Sequence, residues 1–565
     1  MSDQAASGAA DRRGVVAAVR AWLRRLSPVG LAVALVFFAW SMTPSLLPRP
    51  WYLQSVATGL SVVIGYGIGA GAAALARAAG IRPAWSARVR RVGWAVLGLA
   101  AVVVVPVFTV IGHHWQDLVR DMTGVDRDPG PLYSVVVALA LVVALVVLQV
   151  GRGIRVLGRW VRNALLRVVP RPVAAVGSLV LVAVLLVFTV QGIVDRGIVG
   201  AAESTAELTD KSTAPGVEQP TAPERSGSPG SPEAWDTLGR EGRTFVAGGP
   251  TADRISEVIG APAKTPIRVY SGRVSADSVE GVAARVVAEL ERTRAFDRKV
   301  LAVVTTTGRG WINPNVATSL EFLNGGDTAI AAMQYSFLPS ALSFVADRQP
   351  PLDAGKALFT AVRARWERVP EASRPKLVVF GESLGSYGGQ GAFTDAADML
   401  SKVDGALLVG TPNFAEPWRG LTQSRDPGSY ERLPVVDGGR NIRFASRVTD
   451  VQQPATPWSF PRVVYWQHAS DPITWWNWQL LHRKPDWLRE PLGPDVEPGM
   501  RWLPVVTFWQ VTMDMVFSAD VPDGFGHSFG PEAVWLWRDV LGTPMDPTVV
   551  SRIDDAMGGR LPSTG

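Results

Sequence analysis

Two kinds of hydrophobic pattern divide the chain. Up to about residue 195 there are five long apolar runs, Val29 to Leu47, Leu53 to Ala79, Val92 to Ile111, Leu132 to Val150 and Val173 to Val194. Each is long enough to cross a hydrocarbon core of about 30 Å, which takes roughly 20 residues of helix. Pro44 and Pro48 mark the outer end of the first helix, and Pro106 is tolerable as a kink inside the third. From Ala201 to Pro232 the chain is rich in Ser, Thr, Ala, Pro and Gly. Such a segment offers too little apolar surface to offset its ordering entropy and predicts a flexible tether. Beyond Glu233 short β-branched runs alternate with helical patterns. Strands are predicted at Ile267 to Tyr270, Val300 to Thr305, Ala329 to Tyr335, Leu377 to Phe380, Gly405 to Val409 and Val463 to Trp466. Helices are predicted near Val279 to Thr293, Ala354 to Trp366, Ser386 to Met399 and Glu532 to Leu541. This alternation implies a mostly parallel sheet with helices on both faces, whose chemistry lies at the carboxyl ends of its strands. The expected organisation is a basic N-terminus (1–28), an all-α transmembrane domain of five helices (29–200), the tether (201–232) and a catalytic domain (233–565).

Charge changes the picture through its placement. The net charge of +6 comes from arginines clustered between the apolar runs, a pattern of membrane topology and not of nucleic-acid binding. Arg12, Arg13, Arg20, Arg24 and Arg25 precede the first run. Arg82, Arg88, Arg90 and Arg91 separate the second from the third, and Arg152, Arg155, Arg159, Arg162, Arg167 and Arg171 separate the fourth from the fifth. In the segment His113 to Pro131, Asp117, Asp121, Asp126 and Asp128 offset the arginines. By the positive-inside rule the N-terminus is cytoplasmic, and five crossings put everything after Val194 outside. No small-x-small cleavage site follows the first run, which argues against a removed signal peptide. Arg77 is the exceptional ionisable residue within the spans, so a transport pathway is the least favoured role. The absence of cysteine excludes disulfides, thiolate metal sites and a thiol nucleophile. No Walker loop or paired-histidine motif is present, and no cofactor or metal is expected.

Candidate chemistry centres on Gly381-Glu382-Ser383-Leu384-Gly385, which follows the run Lys376 to Phe380 and precedes a helical pattern. The pentapeptide alone is weak. Its strand-turn-helix setting is stronger, because a serine held on so sharp a reversal needs flanking residues without side chains. A plain glycine-rich turn is the competing explanation. A serine hydroxyl needs a base, and of five histidines His527 is the best placed, in a glycine-containing loop directly before a helix. His113 and His114 lie at a membrane boundary, His482 in a basic Trp-rich stretch, and His468 before the acid in the chain. Asp471, shortly after the run Pro461 to Trp466, is the candidate acid, with Asp450, Asp520 and Asp523 as rivals. The oxyanion donors expected are the backbone N–H of Leu384 and one from the loop after Val300 to Thr305, at Gly308 or Arg309. Between acid and base, Trp475, Trp476, Trp478, Trp487, Trp502 and Trp509 suggest an apolar lid or membrane-facing rim, with simple core filling as the equal alternative.

The apolar N-terminal runs, Ser45-Leu46-Leu47-Pro48-Arg49-Pro50, the segment beginning Tyr335-Ser336-Phe337-Leu338, the Gly-Glu-Ser-Leu-Gly-Ser elbow, Ser470-Asp471-Pro472-Ile473 and Gly526-His527 together resemble a membrane-anchored α/β-hydrolase family with its own N-terminal helical domain, found in high-GC Gram-positive bacteria. That resemblance implies an α/β-hydrolase fold and a Ser, Asp, His triad. The expected function is an extracytoplasmic serine esterase or lipase, with membrane lipids and an ester or lipid substrate as partners. An acyltransferase of envelope lipids using the same triad, and a catalytically silent hydrolase scaffold, are the alternatives.

Overall fold

The computed structural model describes residues 26–81, 85–127, 133–192, 206–338 and 347–558. Arg12, Arg13, Arg20, Arg24, Arg25, Arg82, Asp128 and the first five residues of the expected tether lie outside the described residues. The chain forms two compact units. One comprises Met1–Val182 with Trp478–Lys484 and Glu497–Asp514; the other comprises Ala183–Asn477, Pro485–Val496 and Met515–Gly565.

The first unit is helical: α1 (Pro28–Ser41), α2 (Trp51–Ala78), α3 (Ala87–Thr123), α4 (Val135–Leu165) and α5 (Arg171–Gly192, which runs on past the unit's last residue). Four of these, α2 to α5, are long and apolar enough to cross a membrane. The first expected span is shorter than its apolar run. α1 stops at Ser41, three residues before Pro44, and 14 residues rise only about 21 Å at 1.5 Å each. Val29 and Gly30 of α1 lie against Gly69 and Tyr66, and Ser41 hydrogen-bonds Thr58, so α1 and α2 run antiparallel at close range. Conversely α3 outruns its apolar window. Its 37 residues span roughly 55 Å, carrying Arg88 to Arg91 and Asp117 to Asp121 beyond a hydrocarbon slab of about 30 Å.

The turn from α1 to α2 is polar and buried. Arg49, in that turn, is fully enclosed and pairs with Asp514 at 3.1 Å, with Gln54 Oε1 at 2.9 Å and Ser45 Oγ as further partners. Asp514 ends the helix Val506–Asp514 and accepts from the amides of Leu46 and Leu47. Gln510, one turn earlier, donates to the Thr43 carbonyl at 2.9 Å. A piece of chain expected in the catalytic domain is therefore a structural member of the membrane-helix unit. Its capture has a plain electrostatic reason, since a buried guanidinium without a carboxylate is costly.

The second unit is built on a seven-stranded parallel sheet: β1 (Ile267–Ser271), β2 (Val300–Thr305), β3 (Thr328–Met333), β4 (Lys376–Glu382), β5 (Gly405–Val409), β6 (Ile442–Ala445) and β7 (Arg462–Trp466), in the order β1-β3-β2-β4-β5-β7-β6. Helices α6 (Val279–Arg292), α7 (Pro314–Leu323), α8 (Gln349–Trp366), α9 (Leu384–Gln390) and α10 (Ala533–Leu541) flank it. The strands are near-continuous apolar runs because both faces are covered. Val304, Phe380, Val409 and Val464 form one core with Trp537 of α10. The helix expected over Ser386 to Met399 breaks after Gln390, and a second one runs Ala396–Lys402, started by Asp395, whose side chain accepts from the Asp398 amide.

Residues 206–232, expected to be a loose tether, are fastened to β1. The Arg268 amide donates to the Glu224 carbonyl and the Ser226 amide to the Arg268 carbonyl, so Arg225 pairs beside the edge strand. Arg225 itself is buried, its guanidinium held by the carbonyls of Gly248 and Pro250. Backbone pairing and one buried cation order a segment that composition alone read as unable to pack.

Candidate active site

β4 is the fourth of the seven strands, and the chain reverses directly after it. Ser383 holds φ 57° and ψ −122°, a conformation costly for a residue with a side chain, before α9 begins at Leu384. Both glycines of the pentapeptide are sterically required. A Cβ at Gly381 would sit 2.6 Å from the Gly385 backbone, and one at Gly385 would collide with the Thr305 carbonyl. The strand therefore presents Ser383 on a tight elbow whose neighbours have no room to relax.

Asp471 follows β7 and is fully buried. Its Oδ1 accepts from the Ile473 amide at 2.8 Å, and Pro472 opens a short turn there. Its Oδ2 lies 2.7 Å from His527 Nδ1. The His527 ring rests on Gly410, just past β5, where a Cβ would stand 2.8 Å from Nδ1. Ser383 donates its amide to the carbonyl of Val409, the neighbouring residue, at 3.0 Å. Serine, aspartate and histidine are thus gathered at the carboxyl ends of β4, β5 and β7. His527 Nε2 is buried and has no hydrogen-bond partner among the described residues, which leaves it free to accept a proton.

His527 is further held by residues that sequence reasoning did not assign. His468 and Ser470 grip the peptide before it: His468 Nδ1 lies 3.0 Å from the Gly526 carbonyl and the Gly526 amide donates to Ser470 Oγ at 2.9 Å. His468 also stacks on Phe529. It supports the loop of His527, and burial lowers its pKa below the usual histidine value. The spacing His468-x-Ser470-Asp471 could have hinted at this, since three bonds from four residues fix one loop. For His527, burial is the largest influence and pushes the pKa down. The charge and hydrogen bond of Asp471, with a contribution from Glu382, outweigh it, and the net shift is upward.

Of the rival acids, Asp450 caps a turn at Ser446 and Arg447, and Asp523 accepts from Ser528. His113 and His114 belong to α3, and His482 is exposed in the helical unit. Leu384 is buried beside the elbow. Gly308 and Arg309 fare differently. Their turn is drawn toward β1: the Gly310 carbonyl accepts from Tyr270 Oη at 2.9 Å and the Arg309 carbonyl from Gln334 at 3.1 Å. The backbone that abuts the elbow at Gly385 is Thr305 and Thr306, two to four residues earlier. The tryptophans also divide. Trp475, Trp476 and Trp487 are buried in the sheet unit, whereas Trp478, Trp502 and Trp509 belong to the helical unit, with Trp478 stacked on Phe508 and largely exposed.

A parallel sheet with helices on both faces and a serine elbow on its middle strand defines the α/β-hydrolase class. The chain belongs to an alpha/beta-hydrolase family, whose model matches residues 267–552, and residues 42–250 match the model of that family's N-terminus. No curated protein and no solved structure matches the chain.

Proposed function

We propose that the protein is a membrane-anchored serine hydrolase that cleaves carboxylic esters outside the cytoplasmic membrane. Ser383 attacks the ester carbonyl, His527 takes its proton at Nε2 and later returns it to the leaving alcohol, and Asp471 fixes the imidazole tautomer. The Leu384 amide and a second backbone N–H, best placed at Thr306, hold the oxyanion. The observation that carries this reading is the 2.7 Å pair of Asp471 with His527 Nδ1 beside a strained serine, with Nε2 unpartnered among the described residues. Membrane lipids or lipid-like esters are the substrate class that best suits an enzyme attached to four or five apolar helices. The arginines following α2 and within α4 favour a cytoplasmic face at those helix ends. α5 starts on that same face, so the chain after it emerges on the other, extracytoplasmic side.

The test is fluorophosphonate labelling of the purified full-length protein, with p-nitrophenyl esters of short and long chain assayed beside it. Wild type is expected to label and turn over, and Ser383→Ala to lose both while keeping the same melting temperature. No label on folded wild type would overturn the reading.

A further inference from the structure

Glu382, the residue before the nucleophile, is a buried carboxyl that the Ser, Asp, His mechanism does not use. One of its oxygens accepts from Asn313 Nδ2 at 2.6 Å. The same amide nitrogen donates to the Phe529 carbonyl at 3.1 Å, two residues past the base, while Asn313 Oδ1 caps α7 through the amides of Asn315 and Val316. One asparagine therefore ties the nucleophile elbow, the start of α7 and the loop of His527 together. Phe529 in turn lies edge-on to His527 at 5.6 Å between ring centroids. Beside the carboxyl is a small cavity lined by Thr305, Trp311, Asn313 and Val409. The charged groups that act on Glu382 are His527 and Asp523 of the base loop and Asp471 after β7; Thr305 and Asn313 are its neutral polar neighbours.

We propose that Glu382 is an electrostatic and positioning residue for His527, holding the base loop through Asn313 and stabilising the imidazolium that forms during acyl transfer. The inference rests on the serine-hydrolase reading above. As Ser383 Oγ bonds to the acyl carbon, its proton passes to Nε2 and the carbonyl electron pair moves onto oxygen. The cation so formed meets Asp471 at Nδ1 and the field of Glu382 from the elbow side. Burial, only partly offset by the His527 charge and the Asn313 bond, raises the Glu382 pKa to about 7. Its charge is thus present above neutrality and absent below, adding a second ionisation to that of the histidine.

The experiment is the rate of fluorophosphonate labelling between about pH 5 and 9, on wild type, Glu382→Gln and Asn313→Ser. Wild-type labelling at Ser383 decides the underlying reading by itself. Glutamine keeps an acceptor for Asn313 but has no charge. Its profile is expected to lose one inflection, shift its acid limb down by about half to one unit, and fall about tenfold at the plateau. Asn313→Ser keeps a helix cap but withdraws the bond that favours ionised Glu382, so the upper inflection moves to higher pH. This second variant decides the matter if the glutamine variant does not fold. A wild-type-shaped profile in both variants, or a uniform drop with unmoved inflections, would reduce Glu382 to a structural role and overturn the proposal.

Discussion

Arg49→Met is expected to destabilise the helical unit by about 3–5 kcal/mol, because it leaves Asp514 buried without its cation. Both side chains have no solvent exposure. Asp514 keeps two backbone donors, Leu46 and Leu47, but these cannot neutralise a carboxylate. Asp514→Asn strands the guanidinium in the same way, with Gln54, Ser45 and Thr43 as its remaining neutral acceptors. Removing both charges together relieves each defect. The double variant Arg49→Met/Asp514→Asn should therefore be more stable than the sum of the single losses by about 1–3 kcal/mol. Thermal unfolding of the detergent-solubilised protein, followed by tryptophan fluorescence, closes the cycle. Additive losses would mean that the pair is not the fastening it is drawn as.

The second large effect is on chemistry. In Asp471→Asn the carboxamide can donate to His527 Nδ1, which places the ring proton on Nε2, where the Ser383 proton has to go. Labelling and ester turnover should fall by about 10³–10⁴ while the melting temperature changes little, since the amide retains an oxygen for Ile473 and its nitrogen can donate to the Thr474 hydroxyl. If the variant labels at the wild-type rate, another residue orients the base. The raised His527 pKa gives this a pH signature. The neutral imidazole is the reactive form, so wild-type activity should appear at higher pH than a histidine of ordinary value 6.5 would allow, and the variant should lose that displacement.

Local pattern was enough for most of the sheet. β2 and β5 have the predicted limits, Val300–Thr305 and Gly405–Val409, because they are apolar runs bounded by polar or glycine residues. β6 escaped notice because Ile442-Arg443-Phe444-Ala445 carries a charge at its second position and, unlike Ile267-Arg268-Val269-Tyr270 of β1, ends on Ala and not on β-branched and aromatic residues. That charge is tolerable only since the Gly439, Val451 and Thr456 carbonyls close on Arg443, a tertiary fact. The elbow was legible for the same reason as β2, since strand, glycine-flanked serine and helical pattern follow one another along the chain without a gap. Glu382 was visible in the same pentapeptide, but its burial and its link through Asn313 to Phe529 join positions more than 200 residues apart. The fastened segment 206–232 was misread because composition measures apolar surface and not backbone pairing. The first apolar run was overextended because apolar residues fit a buried turn as readily as a helix.

The pair of Arg49 with Asp514 also sets an order of events in biosynthesis. The two residues are 465 positions apart. At roughly 5–20 residues per second, the ribosome adds the carboxylate about 20 to 90 s after the arginine. Throughout that interval the hairpin of α1 and α2 exists with an unneutralised cation at its turn. The hairpin is therefore completed by a residue made 465 positions later, and a nascent protein arrested before Asp514 lacks the group that closes it.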